Sequence, residues 1–348
     1  NYWPELKYIL EGFCPESISP EAVLPLASCQ AVKGNPQEAV AVSAALITAT
    51  AYVDILDNLE EQEQVDTAKA RNYADALHTV SLDILTGESF QTPVFQKISQ
   101  YFIDTFLKFT AGRDRELVGD TNTIEDYWFT MELKFASRYS TACATGAMVG
   151  TENPKLIQAC SAFGYHLGLA LQILRETKSI WHPNGITDLQ RGKITLPLLY
   201  GLQSDHSQRE QLLSLVTTKE IATHAEEIKA ILDKIDTKGF LVWAALKERE
   251  QALEAIKICP NSEGREILES YLNGMFGNID ELLEHQQQET AKEESKLLLV
   301  EPSPEAIIMY YEQTNTEIRP ERGNWMVINK GNQEEIFAQP LGYVLLDN

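Results

Sequence analysis

The sequence predicts an all-α protein with a small C-terminal appendage. Apolar residues recur at spacings of three and four over most of the first 285 residues, strand-like alternation does not interrupt them, and the composition changes beyond that point. Such spacing puts an apolar stripe on each helix, and stripes of this kind pack together into one core. We therefore expect a helical domain over residues 1–285 and a linker with an appendage over residues 286–348.

Eight helical segments are predicted in the first region. Asn35-Pro36 and Asn153-Pro154 each place a cap residue before a proline, which is a common helix start, and Asp120–Thr123 gives a similar capping signal. The predicted segments are 36–61, 65–85, 93–109, 124–149, 154–181, 219–235, 240–258 and 263–284.

The appendage contains a predicted hairpin. Gln286–Lys296 is polar and charged, which is typical of a solvated helix end or linker. Farther on, Asn324–Ile328 and Glu335–Ala338 have strand-like composition and flank a turn that contains Gly331.

Charge and composition exclude several classes of function. A net charge of −22 repels nucleic-acid phosphates, and no stretch approaches the roughly 18 apolar residues of a membrane span, so neither partner is expected. The five cysteines are far apart and the first residues do not resemble a secretory leader, which favours a reducing cytoplasm. The sequence also contains no H-E-x-x-H, P-loop or G-x-G-x-x-G motif.

Three carboxylates stand near the end of the first long helical segment. Spacings of three and four put Asp54, Asp57 and Glu61 near one face. Such a set could hold Mg²⁺, which takes one or two carboxylates and fills its other positions with water and substrate phosphate. Acidic residues at a helix end also commonly form only a solvated surface, so composition alone leaves both interpretations open.

Four segments carry a resemblance to a known family. Val53–Asp57 is similar to a D-D-x-x-D run, Asp188–Tyr200 to a G-K-x-T-L-P-x-x-Y segment, and Phe163–Ile173 to a G-x-x-L-G-x-A-F-Q-I segment, while Lys134 stands where a K-T motif is expected. Their order and spacing resemble the trans-isoprenyl diphosphate synthase, or polyprenyl synthetase, family over about residues 24–285.

The resemblance implies a fold, a substrate and a set of roles. It implies an isoprenoid-synthase-type helical barrel, an allylic isoprenoid diphosphate as substrate, Mg²⁺ as cofactor, and a homodimer or heterodimer. The implied catalytic residues are Asp54, Asp57 and Lys193, and the implied metal ligands are Asp54, Asp57 and Glu61. The implied diphosphate-binding residues are Lys134, Gln172, Arg175, Lys178 and Lys193. Small residues at Thr48 and Ala49 are expected at the pocket floor.

Departures from the family pattern bear on the reaction. The second D-D-x-x-D run is replaced by Arg175–Ser179, whose two cations oppose a second metal wall. No cation stands at Ser17–Ala22, where the family binds isopentenyl diphosphate, and Glu60–Gln64 lacks the usual paired arginines. We therefore expect an acceptor other than isopentenyl diphosphate.

Three functions remain open from the sequence. The chain is an enzyme that ionises an allylic diphosphate, a silent partner or regulatory subunit of a heteromeric synthase, or a non-catalytic isoprenoid-binding module. The surviving Asp54, Asp57 and Gln172 favour the enzyme. Separately, an aromatic stripe at Phe102, Phe106 and Phe109 is interpreted as core packing.

Overall fold

A computed structural model describes residues 3, 6–7, 19–61, 67–86, 93–120, 122–181, 194–218, 221–277, 316–321, 324–329 and 335–338. Within these ranges the chain forms twelve α-helices and one three-stranded sheet. The helices are α1 Pro20–Ala31, α2 Val40–Glu61, α3 Thr67–Thr86, α4 Pro93–Val118, α5 Ile124–Met131, α6 Ser137–Gly150, α7 Pro154–Trp181, α8 Leu196–Gln203, α9 Arg209–Val216, α10 Ala225–Lys234, α11 Thr237–Ala255 and α12 Glu263–Gly274.

The helix positions agree with the predicted segments except in a few places. Helix α4 continues to Val118 rather than ending at 109, and a π-turn at Glu132–Ala136 divides the predicted segment 124–149. Helices α1, α8 and α9 were not predicted. Helix α1 carries an internal Pro25, and α8 and α9 have only eight residues each, too few for periodicity to be read.

Helix α6 packs against its neighbours at close range. It contacts α1, α4 and α7, and α7 also packs along α11. A side chain at Gly146 would clash with the backbone of Pro25 in α1, and one at Gly164 would clash with the carbonyl of Tyr139 in α6. Glycine is therefore required at both contacts, which place α6 in the middle of the main core.

A second, smaller apolar cluster lies at the end of α7. Ile180 packs there with Leu198 of α8, Leu212 of α9 and Ile228 of α10. This cluster fixes the short helices that follow the segment containing Lys193.

The strands are β1 Thr316–Glu321, β2 Asn324–Asn329 and β3 Glu335–Ala338, in the order β1-β2-β3 and antiparallel throughout. Val327 pairs with Ile318 on one side and with Ile336 on the other. The all-α prediction with a C-terminal hairpin is confirmed, and β1 adds a strand that was not predicted. Residues 278–315 lie outside the described residues, so the linker 286–296 and the boundary at 285 stay predictions.

Two helical stretches, Pro36–Asp57 and Pro154–Trp181, are long and apolar enough to cross a membrane by length and composition. Half of each stretch is buried inside the protein, and core helices of soluble proteins pass the same test. Neither stretch is an uninterrupted apolar run in the sequence, so neither was predicted as a membrane span.

Candidate active site

An apolar cavity lies between helices α1, α2, α4 and α6. Its interior volume is about 30 Å³, and about 500 Å³ of space is present when the opening to solvent is included. Its walls include Leu24 of α1, Leu46 and Val53 of α2, and Ala142 of α6. A cavity with such walls suits a hydrocarbon chain, because apolar surface leaves water on binding.

The cavity wall includes one of the two expected floor residues. Ala49 lines the cavity, whereas Thr48 is not among the lining residues and donates its hydroxyl to the carbonyls of Ala44 and Ala45, at 3.1 and 2.9 Å. The aromatic stripe, which was interpreted as core packing, also lines the cavity. It consists of Phe102, Phe106 and Phe109. The first and last of these rings are almost fully buried, so they serve both core and cavity wall.

A half-buried ion pair lines the same cavity. The Arg138 guanidinium of α6 lies 3.6 Å from the Glu21 carboxylate of α1, and both side chains are about 15% exposed. Sequence reasoning missed both residues. Glu21 lies in Ser17–Ala22, where the family pattern has cations that bind isopentenyl diphosphate. The acidic residue in that stretch was the one sequence signal that could have drawn attention to it.

Asp54 lies beside this ion pair. Its side chain is exposed to solvent, yet the surrounding protein raises the pKa of its carboxyl by partial desolvation. The charges of Glu21 and Asp57 raise the pKa further, while those of Arg138 and Arg175 lower it. Asp54 therefore sits close to the polar end of the cavity and to a cation on α7.

Asp57 stands one turn after Asp54 and contacts an arginine from α4. The Nε of Arg113 is 3.7 Å from Asp57 Oδ1, and Arg113 Nη2 donates to the Leu56 carbonyl at 3.3 Å. Asp57 Oδ1 is buried and accepts no hydrogen bond from the residues that the structure describes. Arg113 was not identified from the sequence, because it lies 56 residues away in an unrelated segment.

This arrangement fits a magnesium ion at α2. An unsatisfied carboxylate oxygen on Asp57 and a second carboxylate one turn earlier match the hard oxygen ligands that Mg²⁺ prefers. In the described ranges no group of three or more His, Cys, Asp and Glu residues could hold a metal. Two carboxylates are a common protein contribution to Mg²⁺, so the fit does not need a third. The side chain of Glu61 lies outside the described part.

Helix α7 presents a different set of side chains. Arg175 and Lys178 are exposed, and Gln172 is half-buried. The carboxylate of Glu176 is buried and accepts hydrogen bonds from Tyr127 Oη at 2.8 Å and Gln172 Nε2 at 2.9 Å. The positive charge of Arg175 therefore acts on Asp54, whereas the carboxylate of Glu176 faces the protein interior.

Lys134 lies in the π-turn and is already paired. Its Nζ is 2.5 Å from Glu116 Oε2 and its side chain is 7% exposed. The ammonium also lies 5.9 Å from the ring centre of Phe109, which lines the cavity. Contact with a diphosphate would require Lys134 to leave Glu116. Lys193 lies outside the described residues.

The chain is similar to known proteins in sequence and in fold. The sequence pattern of the polyprenyl synthetase family matches residues 29–235. The chain is 24% identical over 266 residues to a short chain isoprenyl diphosphate synthase of Methanothermobacter thermautotrophicus, covering 70% of this chain and 81% of that protein. It is 30% identical over 199 residues to a geranylgeranyl diphosphate synthase of Mycobacterium tuberculosis, covering 54% of this chain and 56% of that protein.

Solved structures show the same fold. The crystal structure of geranylgeranyl pyrophosphate synthetase from Pyrococcus horikoshii superposes with a TM-score of 0.70 at 20% identity, covering 79% of this chain and 92% of that one. Because the family pattern spans more than half of the chain, this protein belongs to the polyprenyl synthetase family, whose members include prenyltransferases of isoprenoid biosynthesis.

Proposed function

We propose that this chain ionises an allylic isoprenoid diphosphate with the help of Mg²⁺ and passes the isoprenyl group to an acceptor other than isopentenyl diphosphate. One observation carries the proposal: an apolar cavity has a polar end beside two carboxylates one helical turn apart. The hydrocarbon would lie along the cavity, and the diphosphate would lie at the mouth.

Different residues at the mouth of the cavity would bind the metal and stabilise the leaving group. Asp54 and Asp57 would hold the metal, which supplies positive charge to the departing diphosphate. Arg175 and Lys178, with Lys134 and Lys193 from other segments, would add fixed cations for the charge that develops on the leaving group. The C1–O bond breaks with its electron pair on the diphosphate oxygen, and Gln172 would orient that group.

The choice of acceptor follows from charge. The cavity's polar end carries Glu21 and Arg138 as an ion pair without net charge, so it offers no surplus positive charge to a second diphosphate. A neutral acceptor needs no such charge. The allylic cation would take an electron pair from its own double bond, from water or from a neutral nucleophile, and a proton would leave to solvent or base.

We also propose a cytoplasmic homodimer or heterodimer. The cysteines are far apart along the chain and form no C-x-x-C pair, which supports a reducing compartment. Large apolar side chains on α4 are exposed, including Leu107 and Leu117 at 66% each, which supports a partner there.

The test is pyrophosphate release from geranyl, farnesyl and geranylgeranyl diphosphate with Mg²⁺, each with and without isopentenyl diphosphate. Products are identified by mass. We expect release without isopentenyl diphosphate. An elongated product would show that isopentenyl diphosphate is accepted, and no release from any of the three would favour a silent partner subunit or a binding module.

A further inference from the structure

A buried carboxylate joins three elements behind the diphosphate-facing surface of α7. Glu176 is 5% exposed. Its Oε1 accepts from Tyr127 Oη of α5 at 2.8 Å and from Gln172 Nε2 at 2.9 Å, and its Oε2 accepts from the Leu196 backbone N–H at 2.8 Å. Leu196 is the first residue of α8.

The contact with Leu196 replaces a helix cap. The first amides of a helix have no partner within it, and the side chain of the residue before the helix usually provides one. Thr195 stands in that position but its side chain makes no capping hydrogen bond. The Glu176 carboxylate provides the acceptor from another helix, and its negative charge also suits a helix N-terminus.

The same carboxylate holds the amide of Gln172, which is expected to contact the diphosphate. Gln172 and the first residue of α8 are thereby tied to one buried side chain.

We propose that Glu176 is a positioning residue for the diphosphate site: it fixes Gln172 and the start of α8 instead of binding a metal. This inference rests on the proposed function. Tyr127, Gln172 and Leu196 donate to the carboxylate, so its oxygens already serve protein donors.

The hydrogen-bonding capacity of a carboxylate predicts which substitution of Glu176 breaks its contacts. A carboxylate accepts at both oxygens, whereas an amide presents an N–H group at one end and would leave a buried donor unpaired. Glu176→Gln therefore disrupts the anchor at nearly constant volume. Tyr127→Phe removes one donor only and is the milder variant.

A matched control breaks a different carboxylate contact on the same helix. His166 of α7 lies with Nδ1 at 2.7 Å from Glu248 Oε2 of α11, away from α8. Glu248→Gln weakens the packing of α7 without touching Gln172 or Leu196.

The experiment measures binding of inorganic pyrophosphate with Mg²⁺ to the full chain by calorimetry, together with Tm and with the KM and kcat for the allylic diphosphate. We expect Glu176→Gln to weaken pyrophosphate binding about tenfold or more and to raise KM similarly. Tyr127→Phe should weaken binding a few fold. Glu248→Gln should lower Tm and leave the affinity unchanged.

The outcomes separate this inference from the proposed function. If folded Glu176→Gln binds pyrophosphate as the wild type does, or if Glu248→Gln loses the same affinity, the positioning role is refuted and the proposed function stands. Where Glu176→Gln does not fold, the affinity of Tyr127→Phe decides in the same way. A wild-type chain that binds no pyrophosphate refutes both.

Discussion

Helices α2 and α7 both carry acidic side chains near the site, but these side chains differ in burial and in hydrogen bonding. On α2, Asp54 is exposed and Asp57 Oδ1 accepts no hydrogen bond from the described residues. On α7, Glu176 is buried and its oxygens accept hydrogen bonds from Tyr127, Gln172 and Leu196. Protein donors compete with a metal ion for the lone pairs of a carboxylate, so the α2 carboxylates are better placed than Glu176 to bind a metal.

The contrast extends to the cations. Arg113 reaches the α2 side from another helix and neutralises Asp57 in part, whereas Arg175 belongs to α7 itself and its charge acts on Asp54 across the site. We infer that α2 carries the metal ligands and that α7 supplies fixed positive charge.

The largest expected effect comes from removing the α2 carboxylates. The double variant Asp54→Asn with Asp57→Asn should lower Mg²⁺-dependent pyrophosphate release at least about 100-fold, since loss of transition-state charge stabilisation of this kind commonly costs two or more orders of magnitude. The assay is release from the preferred allylic diphosphate at saturating Mg²⁺. Release at the wild-type rate would mean that the metal is held elsewhere.

A second variant tests whether Arg113 competes with the metal at Asp57. Arg113→Gln removes the cation 3.7 Å from Asp57 Oδ1, so Mn²⁺ should bind several-fold more tightly, because like charges no longer oppose it. Titration of Mn²⁺ followed by electron paramagnetic resonance measures this without substrate. Arg265→Gln, at an arginine whose Nε lies 2.7 Å from Glu269 on α12, is the control. Equal or weaker binding by Arg113→Gln would contradict the competition.

A third variant tests the cavity that α2 lines. Ala49→Leu adds volume inside the cavity and should shift preference toward shorter allylic diphosphates, with a stability loss of about 1–3 kcal/mol from overpacking. Thr48→Val, at a position that is not among the lining residues, should leave the preference unchanged. The measurement is relative pyrophosphate release from substrates of three chain lengths. The same preference in both variants would remove Ala49 from the substrate path.

The smallest effect is a pH dependence of stability. A carboxyl whose pKa is raised on folding contributes stability at low pH that is lost as pH rises through its folded-state pKa. Since the pKa of Asp54 is raised, Asp54→Asn should have a slightly higher Tm than the wild type near pH 7. The difference should vanish below the ordinary aspartate pKa of about 3.9.

Asp57→Asn should change Tm near pH 7 in the opposite direction. It breaks the contact with Arg113, so its Tm near pH 7 should be lower than that of the wild type. Thermal unfolding between pH 3 and 8 measures both variants. A Tm difference for Asp54→Asn that does not change with pH would contradict the raised pKa.

Much of the helical fold was predictable because each long helix carries its own pattern. The stretches of α2, α3 and α7 show apolar residues at helical spacing, and Asn153 with Pro154 marks a helix start that the structure confirms. The predicted hairpin at 324–338 is formed for the same local reason, with its strands in register. Short helices such as α8 depend on contacts from other elements, so their sequences carry little independent signal.

The placement of the site's side chains was only partly predictable. Helical spacing alone put Asp54 and Asp57 one turn apart. The partners of Asp57, Lys134 and Glu176 lie on other helices, and residue type alone says nothing about which of these charges is paired.

The sequence by itself determined the helical character, the order of the motifs and the family of this protein, because these depend on local periodicity and residue identity. Only the tertiary structure decided that Arg113 contacts Asp57 and that Glu21 and Arg138 line the cavity. It also decided that the carboxylate of Glu176 accepts hydrogen bonds from other elements. The physical reason is that burial and hydrogen bonding join residues tens of positions apart, and they decide whether a charge faces a ligand or the protein.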